Sequence, residues 1–106
     1  MIRVREYLDS RGRSAYSDWL DSLHHEAAAK VMDAIYQLSQ GNFSKVEGVG
    51  AGIFERKIHF GPGYRIYFGK DGEALIILLG GSSKQKQRQA IAAACERWWD
   101  YRRRSR

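Results

Sequence analysis

A chain of 106 residues, 43% hydrophobic and 12% aromatic, can bury one modest core and is too short for two independently stable domains. Its longest apolar run, residues 74–79, falls far below the roughly 20 residues that span a bilayer, and Arg3, Arg5 and Glu6 stand where a secretory signal would be apolar. A lone cysteine, Cys95, excludes an internal disulfide, so a soluble protein in a reducing, cytoplasmic setting is expected, with no membrane partner.

Charge divides the chain. Residues 1–83 balance ten Lys/Arg against ten Asp/Glu, so the net charge of +6 comes entirely from residues 84–106, where eight Lys/Arg face only Glu96 and Asp100. Such a segment favours a polyanion or an acidic protein partner.

Ile2, Val4 and Leu8 alternate with polar residues and predict an opening strand that ends at Asp9-Ser10-Arg11-Gly12. Ser14 is placed to cap a short helix bearing Tyr16, Trp19, Leu20 and Leu23. A second helix, with Ala27, Val31, Ala34, Ile35 and Leu38 on one face, stops at Gly41-Asn42. Residues 44–52 have no sustained period and read as a loop. Strands are expected over 54–60, 64–69 and 74–79, joined by Gly61-Pro62-Gly63 and Lys70-Asp71-Gly72, the last of them central and buried on both faces. Gly80-Gly81-Ser82-Ser83 should close the sheet. A final helix from about Lys84 carries Ile91, Ala94, Cys95 and Trp98 on one stripe, and a basic tail, residues 102–106, should fray in isolation. The expected fold is a small single-domain α+β chain, β-α-α-β-β-β-α, with an antiparallel-rich sheet and the helices packed on one side.

Chemistry is narrowed by what is missing. His24 and His25 are adjacent and His59 is remote, with no acidic set at ligand spacing, so neither a metal nor another cofactor is expected. Cys95 lies on an apolar stripe, and the glycine-rich stretches match no phosphate-binding loop. What remains is a group of cations on strands. Alternation puts Phe54, Arg56, Ile58 and Phe60 on one face and Glu55, Lys57 and His59 on the other, with Arg65 and Tyr67 opposite Tyr64, Ile66 and Phe68. If the hairpin pairs its polar faces, Lys57, His59, Arg65 and Tyr67 lie together, and Lys84, Lys86 and Arg88 close the rim.

This set suits metal-free RNA cleavage, in which a ribose 2′-hydroxyl attacks the adjacent phosphate. The reaction needs a base, cations for the phosphate oxygens and an acid for the leaving oxygen. Arg65 is a natural phosphate clamp. Repulsion from Arg65 would favour the neutral amine of Lys57 and make it a candidate base, with His59 and Glu55 as alternatives. Tyr67 could stack on a base, and an ordinary packing role suits it equally. The cations also fit a solvated sheet face, and Arg56, on the core side, signals a wet edge, a snorkelling side chain or a bulge that exchanges its role with that of Lys57.

The run Glu55-Arg56-Lys57-Ile58-His59-Phe60-Gly61-Pro62-Gly63-Tyr64-Arg65-Ile66-Tyr67-Phe68, followed by a hydrophobic strand and Gly80-Gly81-Ser82-Ser83-Lys84, resembles the HigB-like, phage-derived addiction-module killer proteins of the RelE/ParE superfamily. Tyr7-Leu8-Asp9, Trp19-Leu20 and Gly41-Asn42-Phe43 fit the same pattern. The resemblance implies a bacterial type II toxin that cleaves messenger RNA in the ribosomal A site. It also implies a cognate helix-turn-helix antitoxin, through which alone the toxin would meet operator DNA. Carried over by position, Arg65 matches the family's strand arginine, Lys57 the basic residue on the preceding strand and Lys84 the basic residue after the final strand. The residue pattern adds His59 to this expected catalytic set and gives Lys86, Arg88, Tyr67 and Arg56 as the expected RNA-binding set. Relatives often carry an aliphatic residue at the position of Arg56, and no residue here matches their C-terminal catalytic tyrosine or histidine, since Tyr101 lies far along the helix. A ParE-like inhibitor of DNA gyrase and a noncatalytic nucleic-acid or partner-binding module are the competing readings.

Overall fold

The computed structural model describes residues 1–105. In chain order the elements are β1 (Arg3–Glu6), α1 (Ala15–Asp21), α2 (His25–Ser39), β2 (Val46–Gly50), β3 (Ile53–Ile58), β4 (Tyr64–Lys70), β5 (Leu75–Ser83), a 3₁₀ turn (Lys84–Lys86) and α3 (Gln87–Arg104). The strands form one mixed sheet in the order β1-β5-β4-β3-β2, with β1 parallel to β5 and every other pair antiparallel. No described helix is long and apolar enough to cross a membrane.

Each local choice has a visible cause. Ser14 caps α1 by accepting from the Ser17 N–H at 3.0 Å, satisfying a donor that the helix cannot. Gly41, at φ +84°, ends the chain's exit from α2 in the left-handed region that glycine adopts without steric cost.

The helices divide between the two faces of the sheet, where the sequence suggested one side. Tyr16, Val31, Ala34 and Leu38 from α1 and α2 pack with Ile58, Ile66, Phe68, Ile76 and Leu78; Ala94 and Trp98 from α3 pack with Tyr7, Ile53, Tyr67, Ile77 and Leu79. The reason lies in the central strands. Ile66-Tyr67-Phe68 and Ile76-Ile77-Leu78-Leu79 are apolar on consecutive positions, so both faces must be covered to keep hydrocarbon from water. Two glycines let a tryptophan lie against each face. A Cβ at Gly81 would come within 2.3 Å of the Trp19 ring on one side, and a Cβ at Gly69 within 2.4 Å of the Trp98 ring on the other.

Three further differences bear on the site. Residues 46–50 form an edge strand, β2, within the stretch read as a loop; Val46 packs toward α2 and Val49 toward α3, so its apolar residues never repeat on one face. Gly80-Gly81-Ser82-Ser83 belongs to β5 itself. A bulge there sets Leu78 opposite Phe68 but Gly80 opposite Tyr67, and the extra residue turns Ser82 onto the α3 face. The expected tail is helical through Arg104, because Arg103 and Arg104 both pair with Asp100, at 2.7 and 2.6 Å, and add positive charge at the helix C-terminus. Arg106, the last residue of that tail, lies outside the described residues.

Candidate active site

The β3–β4 register places Glu55 opposite Tyr67, Arg56 opposite Ile66 and Lys57 opposite Arg65. Alternation then puts Glu55, Lys57, Arg65 and Tyr67 on the α3 face. This face is covered unevenly. α3 begins at Gln87, whose Nε2 donates to Glu55 Oε1 at 3.1 Å, and runs away toward β4's far end, where Trp98 meets Gly69 and the Tyr101 hydroxyl donates to Asp71 at 2.6 Å. Lys57 and Arg65 lie beyond the start of the helix, at the hairpin end.

Glu55 is the floor of the site. It is 2% exposed, a burial that a carboxylate tolerates only with compensating donors or cations. Gln87 supplies a hydrogen bond, and Arg65 supplies charge, its Nε 3.5 Å from the same Oε1. Arg65 is itself poorly served. Its side chain is 11% exposed, and its buried Nε has no hydrogen-bond partner among the described residues. The Nε faces Glu55 and is closed to an outside anion; the terminal N–H groups of the guanidinium, held from behind by the carboxylate, are the candidate receptor for an anionic oxygen.

Lys57, with a side chain 30% exposed, pairs with Glu47 of β2 at 3.2 Å. Without β2 in the sequence reading, this counter-charge was not foreseen; the partner of Lys57 is a carboxylate as well as the Arg65 cation opposite. Lys84 is exposed at the start of the 3₁₀ turn. Its backbone N–H donates to Gly63 O at 3.0 Å, so the end of β5 is tied to the β3–β4 turn and Lys84 stands beside that turn. Lys57, Arg65 and Lys84 are thus brought to one end of the hairpin.

The other expected site residues are placed elsewhere or differently. His59 is exposed just past the end of β3, where strand alternation no longer sets its direction. Tyr67 has no exposed surface, so its ring offers no face to a base. Ser82 donates to Ser83 O at 2.8 Å, which leaves the Tyr67 hydroxyl as the donor of their 3.1 Å bond, and burial raises its pKa. Arg56 is buried on the opposite face of the sheet and is not part of an RNA surface: its guanidinium donates to Lys57 O and, at 2.5 Å, to Gln37 Oε1 of α2. No carboxylate pairs with it among the described residues, and desolvation lowers its pKa. It braces sheet to helix, and no bulge exchanges it with Lys57. Lys86 turns to a cleft of about 380 Å³ between α1 and α3, beside Trp19, Tyr64 and Arg97. Arg88 is exposed in the first turn of α3.

Gln87 and Glu47 carry no sequence signal for their roles, because each acts through a long-range partner. Far from the hairpin, the potential ligand atoms of His24, His25 and Glu26 lie within 4.8 Å of one another at the exposed N-terminus of α2, a grouping the sequence reading discounted. His24 Nδ1 there accepts from the Glu26 N–H at 3.4 Å and serves as the helix cap.

No family model matches the sequence. A protein of Haemophilus influenzae (strain ATCC 51907 / DSM 11121 / KW20 / Rd), described as uncharacterised, is 39% identical over 80 residues, which cover 74% of this chain and 81% of the relative.

Proposed function

We propose that this chain, which belongs to the same family as the Haemophilus influenzae protein, is the toxin of a type II toxin-antitoxin pair and cleaves messenger RNA on the ribosome. The observation that carries the proposal is the grouping of Arg65, Lys57 and Lys84 at the open end of the α3 face, over the buried carboxylate of Glu55. The resemblance to RelE/ParE toxins supplies the reaction; the cluster supplies its parts.

In this reading the scissile phosphate binds against Arg65, whose free donors take its non-bridging oxygens. Lys57 and Lys84 add positive charge as the transition state gains negative charge. Glu55, buried behind the guanidinium, holds it in place, and the 2′-hydroxyl proton passes to the exposed His59 imidazole or to water. The 2′-oxygen then bonds to phosphorus and the bond to the 5′-oxygen breaks, leaving a cyclic phosphate. The departing oxygen takes its proton from Lys84 or from water. Tyr101, bound to Asp71 at the other end of the sheet, takes no part. The partners of this reading are the ribosome with its messenger RNA and a helix-turn-helix antitoxin, all in the cytoplasm.

Induction in bacteria followed by primer extension tests the proposal. New transcript ends within codons should appear as growth stops. Growth arrest with unchanged transcript ends would refute cleavage, and inhibition of supercoiling by the purified protein would then favour gyrase as the target.

A further inference from the structure

The C-terminal half of α3 carries a feature that the cleavage site does not use. Trp99 is 66% exposed, an unusual cost for a large indole. It borders a cleft of about 570 Å³ lined by Ala51, Cys95, Trp98, Trp99, Arg102 and Arg103. The Arg103 guanidinium lies 5.0 Å over the Trp99 ring, and that of Arg102 lies 5.9 Å over the Trp98 ring. From Gln87 to Trp99 the helix advances about 18 Å, at 1.5 Å per residue, so this cleft is separate from Glu55 and Arg65.

The exposed Trp99 indole, with the Arg102 and Arg103 guanidiniums beside it, presents flat apolar surface next to positive charge, and Trp98, 5% exposed, forms the cleft's buried wall. A nucleotide has the complementary composition, a planar base joined to a phosphate. Charge favours that occupant over an apolar protein surface, since the last turn of α3 holds Arg102, Arg103 and Arg104. Asp100 pairs with Arg103 and Arg104 and accepts from the Tyr7 hydroxyl at 2.7 Å; one carboxylate against three guanidiniums leaves the last turn net positive. Glu96, one turn before Trp99, marks the limit of the basic patch.

We infer that the Trp98–Trp99–Arg102–Arg103 cleft is a second nucleic-acid site, which takes an unstacked base against Trp99 and the adjoining phosphates on Arg102 and Arg103. The site needs no 2′-hydroxyl and no step of cleavage chemistry, so it stands apart from the function proposed above.

The test uses a fluorescein-labelled deoxythymidylate 12-mer, which lacks the 2′-hydroxyl and cannot be cut, with binding read by anisotropy. Trp99→Ala should weaken binding about tenfold and Trp99→Phe should restore most of it, as expected for base stacking on an aromatic ring. Arg102→Ala with Arg103→Ala should flatten the salt dependence by about 1.4 logarithmic units per decade, the loss of two phosphate contacts to a single strand. The ratio of wild-type to Trp99→Ala affinity should be unchanged in an Arg65→Ala background, which separates this site from the hairpin. Melting curves verify that each variant is folded. Wild-type affinity in folded Trp99→Ala would overturn the inference. So would finding that Trp99 supports only self-association or binding to anionic vesicles, with the 12-mer unaffected.

Discussion

Arg56 and Arg65 stand on neighbouring strands, and the pairing of Lys57 with Arg65 sends them to opposite faces of the sheet. On the α1/α2 face, Arg56 is sealed among apolar side chains and spends its donors on Lys57 O and Gln37. On the α3 face, Arg65 meets a carboxylate at 3.5 Å, and its Nε bonds to no described residue. One guanidinium is used up in holding a helix to the sheet, and the other is kept ready. Neither the type of a residue nor its burial separates the bracing cation from the one proposed to bind phosphate; the state of their donors does.

The largest expected effects, on the proposed cleavage, come from Arg65. Arg65→Ala should slow RNA cleavage by about 10²- to 10⁴-fold, the range for removing one transition-state charge or proton donor, whereas Arg56→Met should leave the cleavage rate within about threefold of wild type. Equal losses in the two variants, measured at matched folded fraction, would erase the distinction.

Next in size is the close packing on each face. A Cβ at Gly81 has no room beside Trp19, nor one at Gly69 beside Trp98, so Gly81→Ala and Gly69→Ala should each cost about 3 kcal/mol in urea unfolding. A loss below about 1 kcal/mol would show that the rings move aside easily.

Both faces should answer to pH, and the α3 face at both limbs. Burial of Tyr16 on the α1/α2 face pushes its hydroxyl up to about 12 from 10.0, so the unfolded chain ionises first as pH rises. The stability involved is intact below pH 10 and should fall by about 2–3 kcal/mol as pH climbs toward 12; Tyr16→Phe should remove that loss. On the α3 face, the Tyr7 hydroxyl and the Arg104 and Arg103 guanidiniums hold the Asp100 carboxyl below its usual range. Its contribution is present above the ordinary carboxylate range and is lost as pH falls below that range toward the lowered folded value, so Asp100→Asn should flatten the acid limb of the stability curve. Because Asp100 also raises the Tyr7 pKa, the variant should soften the alkaline limb as well.

The smallest effect is at the β2–β3 turn, beside the α3 cleft. Ala51 occupies the left-handed region at φ 55°, next to Gly52 at φ 80°. Ala51→Gly should raise stability by about 0.5–1 kcal/mol by removing the Cβ strain of that conformation. A loss of stability would mean that packing of the Ala51 methyl group outweighs the strain.

Much of this comparison was legible in the residue pattern. Alternation along β3 and β4 assigned Glu55, Lys57, Arg65 and Tyr67 to one face, and the cap at Ser14 and the stripe of Val31 and Leu38 marked α1 and α2. The paths of side chains through space were not. Tyr67 shares the face of Arg65, yet only the placement of α3 shows that it is buried. Arg56 looked ambiguous because its partner, Gln37, is 19 residues away on a helix. Two chain irregularities were also hidden. β2 alternates its valines between two covered faces, and the bulge after Leu78 shifts Ser82 by one position; neither leaves a period to detect.

The claim that the open end of the α3 face is an RNA-cleaving centre is tested most directly with purified protein and ribosomes programmed with a defined messenger RNA, mapping the 5′ ends produced. The account predicts new ends confined to the codon in the A site, dependent on the ribosome, undiminished by chelators and absent with folded Arg65→Ala. Intact messenger RNA with active wild-type protein, or identical ends from the Arg65→Ala variant, would contradict it.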